Sequence, residues 1–359
     1  MENILKNPGY KFVDPTPNTV YMFCYTSGTT GDPKAAMLTH QNLLASATSC
    51  KYGGIDVGTE DSYISYLPLA HSFEQCLFIM AMIRGVKVGY YSGDVLKLSE
   101  DCEVLRPTLF PSVPRLFCRI YDKITSRLKD LTGMKSYLAN RAIQSKLYYL
   151  EHTATYTYSL YDLAVCNKFR AILGGRVRLM VTGSAPIAVD VLNFLKVCFC
   201  CPILEGYGQT ESSAASCITL PQDPKAGHVG GPLPCLKIRL RDLPDMEYTC
   251  HDTPYPRGEI CFKGPSIFAG YFKNPEKTSE ALHDGWLWSG DVGVVMPNGC
   301  IKIIDRAKNI FKLAQGEYIA PEKLENVYIQ SPYIQQIFVH GDSLESFLVA
   351  IVVPDFGEV

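Results

Sequence analysis

The sequence predicts an α/β protein with layered sheets flanked by helices, then a β-rich subdomain, then the start of a small hinged α/β unit. Three observations carry this reading. Short apolar runs alternate with helix-period runs over the first part of the chain. After about Pro232, short strands such as "LKIRL", "GEICFKG" and "VGVVM" dominate, separated by Pro/Gly turns. From Arg306 helix and strand alternate again, and the sequence stops at "FLVAIVVPDFGEV", just after a strand. These breaks divide the chain into 1–235, 236–305 and 306–359. The last stretch has little room for a core of its own, so on this reading the chain is truncated.

A chain of 359 residues is long enough for two or three domains and a large core. Its 47% hydrophobic and 19% charged residues are ordinary for a globular protein. A net charge of -2 gives no bulk electrostatic pull toward nucleic acid. The 14 cysteines are too sparse for a disulfide scaffold and point to a reducing, intracellular compartment. Cys198, Cys200 and Cys201 cluster in the apolar run "LNFLKVCFCCPILEGYG" without a nearby histidine, which favours buried thiols over a metal site. The polar, proline-broken start "MENILKNPGYKFVDPTPNTV" is no signal peptide. No apolar run reaches the roughly 18 residues of a membrane helix. "CLFIMAMI" (Cys76 to Ile83) is cut off by Arg84 and Gly85 and reads as a buried segment. Association with a membrane surface stays open.

The elements follow in order. "TVYMFCYT" (Thr19 to Thr26) reads as a buried strand running into a Gly/Ser/Thr loop, and "KAAML" (Lys34 to Leu38) as a second strand. Thr39 then suits the N-cap of a helix through "HQNLLASATSC". Between Arg115 and Leu131, apolar Leu116, Ile120, Ile124 and Leu128 stripe one helix face. Arg119, Lys123, Arg127 and Lys129 make that helix basic, as a solvated outer face or a membrane-surface one. "RVRLMVTGSAP" reads as strand then glycine turn, followed by the helix "VDVLNFLKVCF". "PILEGYGQTE" repeats the strand-then-loop plan. Two small-residue loops after strands suit a nucleotide site at the carboxyl ends of a sheet. "VGVVMPNGCIKIID" is a hairpin, with Asn298-Gly299 suited to a type I′ turn. "APEKLENVYIQSP" reads as a helix with Pro321 in its first turn and Pro332 beyond its end.

Three segments carry candidate chemistry. In "YTSGTTGDPKAAMLTH" glycines permit close approach of backbone to phosphate, Thr26, Ser27, Thr29 and Thr30 offer hydroxyls, and Lys34 offers a point charge. "GTTGDPK" fails the spacing of an ordinary P-loop, and a polar surface turn has the same composition. In "EGYGQTE", Tyr207 suits stacking on adenine, Thr210 a donor to the α-phosphate, and Glu211 a ligand to Mg²⁺. Taken alone, it is equally a turn with an exposed glutamate. In "WLWSGD", Asp291 sits at an expected strand start and suits two ribose hydroxyls, with Arg306 after the hairpin near the same sugar. The plainer alternatives are a turn cap for Asp291 and a pairing with Asp305 for Arg306.

Together these segments resemble, in order and spacing, the ATP-binding motifs of the adenylate-forming superfamily of acyl-CoA synthetases, luciferases and peptide-synthetase adenylation domains. "YLPLAHSFEQ", "FPSVPRLF", "LGGRVRLMVTGSAPI", "EGYGQTE" and "IFKLAQGEYIAPEKLE" are closer to the long-chain fatty acyl-CoA synthetases of eukaryotes. The resemblance runs almost end to end. It implies that Thr26, Ser27, Gly28, Thr29, Thr30 and Gly31, with Lys34, hold the β- and γ-phosphates. His71 would lie near the reacting carboxylate and α-phosphate. Gly183, Ser184 and Ala185 would line an adenine pocket beside Gly206, Tyr207 and Gly208. Thr210 and Glu211 would serve phosphate and Mg²⁺, and Asp291 and Arg306 the ribose. Lys308 would be a hinge, and the stretch from Lys312 through Gly316 to Tyr318 would face the site for thioester formation. ATP, Mg²⁺ and coenzyme A are the implied cofactors and co-substrate, a long-chain fatty acid the substrate. An intracellular membrane face (endoplasmic reticulum, peroxisome or another) is the implied location.

The sequence departs from that family in three places. Only Met1 to Tyr25 precede the phosphate loop, and the chain ends before a late C-terminal lysine that stabilises adenylation. Ala35 stands where the family has glycine, which is strained only if the position needs φ > 0. Two other readings stand beside the ligase: adenylation with a non-CoA acceptor, and nucleotide binding without turnover.

Overall fold

The computed structural model describes residues 13–26, 33–312, 318–331, 333–341 and 347–356. The chain opens with an antiparallel hairpin, β1 (Val20–Thr26) and β2 (Lys34–Thr39). The expected buried strand is instead half open: Cys24 is buried, while Tyr21, Phe23 and Tyr25 are exposed. Among the described residues β1 pairs only with β2 and no layer covers its alternate side chains. Ala35 lies in β2 opposite Tyr25 and is absent from the positive-φ residues, so its Cβ costs nothing.

Helix α1 (His40–Tyr52) starts at the expected cap. Thr39 Oγ1 accepts from the Asn42 N–H (3.2 Å), and Asn42 Oδ1 accepts from the Thr39 N–H (2.9 Å). The Asn42 amide also donates to the carbonyls of Pro265 and Ile267, both at 2.8 Å, tying this helix start to the β-rich part of the chain.

The central sheet is built from β3 (Ser62–Ser65), β4 (Lys87–Tyr90), β5 (Leu109–Ser112), β6 (Leu179–Thr182) and β7 (Ile203–Tyr207), with the short β8 (Cys217–Ile218) and β9 (Gly231–Pro232). Its order is β4-β3-β5-β6-β7-β8-β9. The first five strands in that order are parallel, and β8 and β9 continue antiparallel. The crossovers include α2 (Ser72–Arg84), α3 (Leu98–Leu105), α4 (Pro114–Lys129), α5 (Gly133–Thr153) and α6 (Val189–Phe199). α2 contains the buried stretch expected of "CLFIMAMI", although Met82 and Ile83 at its end are exposed. α4 buries Phe117, Ile120, Ile124 and Leu128, and Arg119, Lys123, Arg127 and Lys129 face solvent.

Adjacent strand residues point to opposite faces, and here both faces are buried. Phe110, Met180 and Ile203 join the core under α4, α5 and α6. Leu109, Leu179 and Leu204 join the core beneath α1 and α2. An ion pair fixes the strand ends: Arg178 Nε and Nη2 donate to Asp61 Oδ1 and Oδ2 at 2.8 and 2.6 Å, and Thr108 Oγ1 donates to Oδ1 at 2.7 Å.

The β-rich part is a second sheet with β10 (Lys237–Arg241), β11 (Arg257–Lys263), β12 (Leu282–His283), β13 (Trp286–Val295) and β14 (Ile301–Arg306). β11 and β13 are central, and α7 (Pro275–Ala281) leads into β12. A third core joins this sheet to the first hairpin through Leu38, Ala36, Phe262, Phe268, Leu287 and Ile301. The β13–β14 turn differs from the expected type I′. Gly299 alone has positive φ (79°), and its N–H donates to the Met296 carbonyl at 2.9 Å. Pro297 cannot adopt positive φ and favours a type I turn, and Gly299 supplies the left-handed residue after it. Asp291 is also inside β13, opposite Arg306, rather than at a strand start.

After β14 come β15 (Phe311–Lys312), β16 (Tyr318–Ile319), α8 (Pro321–Tyr328) and the antiparallel pair β17 (Ile334–Gly341) and β18 (Leu348–Pro354). Pro321 occupies the first turn of α8 as expected, and Pro332 lies outside the described residues.

Candidate active site

A cleft of about 710 Å³ opens at the carboxyl ends of the parallel strands. β6 delivers Thr182, Gly183 and Ser184 to it, and β7 delivers Gly206, Tyr207, Gly208, Gln209, Thr210 and Glu211. His71 comes from the loop after β3, Thr26 and Lys34 from the first hairpin, Arg306 from the end of β14 and Lys308 from just beyond it. Segments far apart in sequence therefore converge because the sheet order places their strand ends together.

The β7 loop holds its shape by backbone contacts that leave no room for a side chain at Gly208. A Cβ there would lie 2.0 Å from the Ala214 carbonyl oxygen. Ser184, Ser213 and Ala214 have φ of 74°, 58° and 77°. Left-handed non-glycine residues of this kind cost on the order of 1–3 kcal/mol each and gather at functional loops.

Tyr207 donates its hydroxyl to Asp291 Oδ2 at 2.6 Å, and Gln209 Nε2 donates to the same oxygen at 2.8 Å. Arg306 Nε stands 3.6 Å from Asp291 Oδ1, so Arg306 pairs with Asp291 in addition to its backbone link to Asp305. Burial raises the pKa of Asp291, opposed by the Tyr207 hydroxyl and the Arg306 charge. Asp291 is 6% exposed and lies behind the lining; Ala185 is likewise outside it.

Glu211 Oε1 accepts from the Tyr271 hydroxyl at 2.6 Å, and Lys34 Nζ lies 5.1 Å from the centroid of the same tyrosine ring. Among the described residues Oε2 of Glu211 has no hydrogen-bond donor. A carboxylate oxygen left open at the cleft is the kind of donor a hard divalent cation would take. Lys308 has its pKa lowered by partial burial and then by the charges of Arg306 and Lys34. Those three cations thus crowd one end of the cleft and would be relieved by a polyanion. His71 caps α2: its Nδ1 accepts from the Phe73 N–H at 3.2 Å, which leaves the proton of the neutral ring on Nε2. Partial burial lowers its pKa, which favours the neutral ring.

The other end of the cleft is apolar. Cys50, Ile55, Cys76, Leu77, Met80 and Val181 form its wall. A further small apolar space beside it is lined by Tyr63, Ala81, Val86 and Leu109 among others. Sequence reasoning did not place these walls, nor Tyr271, nor Gln209 as a partner of Asp291. The period of α2 marks the wall residues as apolar, but periodicity does not separate a wall from a core. Tyr271 carries no motif; only the fold brings it to Glu211.

Ser27, Gly28, Thr29, Thr30 and Gly31 lie outside the described residues, as does Gly316. Lys312 is described as part of β15.

A family model described as "AMP-binding enzyme" matches residues 3–272. The chain is 50% identical over 347 residues to the peroxisomal long chain acyl-CoA synthetase 7 of Arabidopsis thaliana, covering 96% of this chain and 49% of that protein. It is 46% identical over 359 residues to long-chain-fatty-acid–CoA ligase 1 of Homo sapiens, covering 99% and 51%. The chain thus spans about half the length of the curated relatives it matches. Among solved structures, the adenylation domain of a carboxylate reductase from Mycobacterium chelonae superposes with a TM-score of 0.76 at 30% identity, covering 95% of this chain and 49% of that one. O-succinylbenzoate coenzyme A synthetase from Bacillus subtilis, in complex with ATP and magnesium ion, gives 0.72 at 20% identity over 98% of this chain and 64% of that one, a likeness of fold.

Proposed function

The chain belongs to the AMP-binding enzyme family, and from that premise we propose that it serves the activation of a long-chain fatty acid as its acyl-adenylate and transfer of the acyl group to coenzyme A. The observation that carries this reading is the two-ended cleft. Lys34, Arg306 and Lys308 crowd one end, and Cys76, Leu77, Met80 and Val181 wall the other. A fatty carboxylate with its tail among those apolar residues would bring its head toward Thr210 and His71.

A carboxylate does not acylate a thiol directly, because oxide is too poor a leaving group. Attack on the α-phosphate converts that oxygen to AMP and releases pyrophosphate. Lys34 offsets charge on the outer phosphates, and Thr210 offers a hydroxyl to the α-phosphate. His71 Nε2–H offers a donor to the same region without adding a second positive charge. Tyr207 forms a flat wall for the adenine, held by Asp291, and Arg306 is the side chain nearest to serve the ribose. Glu211 is the residue that would hold Mg²⁺, which neutralises phosphate charge when bound.

We further propose that 306–359 is a hinged unit that turns about Lys308 to serve the thiol step. On this reading the enzyme works at an intracellular membrane surface, peroxisomal among them. Among the described residues no helix is long and apolar enough to cross a membrane.

The test is AMP and palmitoyl-CoA formation from Mg-ATP, palmitate and coenzyme A, with Glu211→Gln as control. Product that falls roughly 10²–10³-fold in the variant is the expected result. Palmitate-dependent pyrophosphate release without any acyl-CoA would overturn the acceptor. ATP binding by folded protein with no pyrophosphate release would sink turnover by this chain.

A further inference from the structure

Far from the cleft, on the other face of the central sheet, Lys146 of α5 is buried at 1% exposure. Its ammonium donates to Asp162 Oδ1 at 2.5 Å, to Cys200 Sγ at 3.0 Å and to Cys166 Sγ at 3.3 Å. Asp162 and Cys166 begin and end a π-helical turn, Asp162–Cys166, while Cys200 caps the C-terminus of α6 in the left-handed region (φ 56°). The three ligand-type atoms lie within 4.8 Å of one another. The ammonium already sits against all three, which fills with a built-in cation the space a metal would need. Cys200 was expected to be a plain core thiol; it is instead partly exposed and donates to Asp162 Oδ1 at 3.2 Å.

We propose that Cys166 and Cys200 are a peroxide-sensitive thiol pair, activated by Lys146, that closes to a disulfide joining the π-helical turn to the end of α6. Three features support it. A thiolate on either sulfur is stabilised by the ammonium at 3.0 or 3.3 Å. The proton of Cys200 has an acceptor in Asp162, whose side chain is 19% exposed and marks the route from solvent. The hydrogen bond from Cys200 and the charge of Lys146 lower the pKa of Cys166, so the pair loses its first proton readily, and the second is held.

The chemistry balances with a hydroperoxide as oxidant. The pair gives up one proton by way of Asp162, and the proton it keeps passes from Cys200 to Cys166 as the Cys200 sulfur attacks the peroxide oxygen. The S–O bond forms, the O–O bond breaks, and the released proton returns to the departing oxygen as alcohol or water. Cys166 sulfur then attacks the sulfenic sulfur; the S–S bond forms and hydroxide leaves, taking the Cys166 proton as water. Two thiols lose two electrons, and one peroxide is reduced.

The test treats the folded, reduced chain with one to ten equivalents of hydrogen peroxide, alkylates remaining thiols, digests it and reads the peptides by mass spectrometry. The expected product is a Cys166–Cys200 cross-linked peptide, two hydrogens lighter than the separate peptides and released by dithiothreitol. Cys166→Ser should leave a sulfenic acid on Cys200 that dimedone traps. Lys146→Met should slow cross-linking at least tenfold, and Lys146→Arg, which keeps the charge if the methionine variant fails to fold, should retain most of the rate. Both thiols remaining alkylatable after peroxide would overturn the proposal. So would sulfinic acid on Cys200 beside free Cys166, a cross-link to Cys198 or Cys201 instead, or a Lys146–Cys200 adduct about 14 Da heavier.

Discussion

The hydroxyl of Tyr207 and the carboxylate of Asp291 meet at 2.6 Å, across the junction between the parallel sheet and the β-rich sheet. Tyr207 ends β7 and Asp291 lies inside β13, so one hydrogen bond fastens a wall of the cleft to the second sheet. Tyr207→Phe keeps the ring and removes the donor, leaving a buried carboxylate with Gln209 and Arg306. The expected outcome is a loss of about 1–3 kcal/mol in stability and weaker ATP binding, read by urea denaturation and calorimetry.

Tyr271 should act through Glu211. Tyr271→Phe preserves the ring beside Lys34 and frees Glu211 Oε1. Turnover should fall roughly tenfold, with a higher magnesium concentration needed for half-maximal rate and little change in thermal stability. An unchanged magnesium dependence would remove Tyr271 from any positioning role.

On the proposed function, the apolar end of the cleft sets how much tail fits. Met80→Trp, at a wall position, should depress activity with palmitate more than with octanoate, at a packing cost of about 1–3 kcal/mol. A series of acids from eight to eighteen carbons gives the profile, and a uniform loss across it would place the tail elsewhere.

Gly208 has no space for a methyl group. With the Ala214 carbonyl 2.0 Å from an added Cβ, Gly208→Ala must displace the β7 loop. The expected outcome is loss of ATP binding together with a lowered melting temperature, whereas Gly299→Ala, at a distant turn, should spare binding.

Two buried carboxyls predict the pH profile of stability. Burial pushes Glu74 up to about 7 against the hydrogen bonds from Ser65 and Tyr63, and pushes Glu205 up to about 7 against the Gly227 N–H. Both folded values lie above the ordinary carboxylate value, so the native state binds the extra protons. Their contribution is full below about pH 4.5 and is lost as pH rises through about 7. Glu74→Gln should flatten the decline between pH 5 and 7, measured by denaturant midpoints.

What the sequence made legible was mostly local. The Thr39 cap and the helix 189–199 were read from residues that decide their own conformation within a turn or two. The reading of β1 as buried failed because apolar alternation reports what a strand offers, not whether a layer covers it. The turn at Asn298-Gly299 misled because Pro297 decides the turn before the favourable dipeptide does. Tyr271 with Glu211, and Lys146 with Cys166 and Cys200, are contacts over long sequence separation. Neither pair is visible without the packing that makes them neighbours.

The apolar wall of the cleft is drawn from the same residues that hold the sheet to its helices. Cys50, Ile55, Cys76, Leu77, Met80 and Val181 belong at once to the cleft lining and to the core beneath α1 and α2. Ligand preference and folding therefore share one set of genetic coordinates. A lineage drifting toward a shorter or longer ligand must cross changes that also unsettle the scaffold. Such drift is expected to proceed through compensated pairs of substitutions, one reshaping the wall and one restoring the packing behind it.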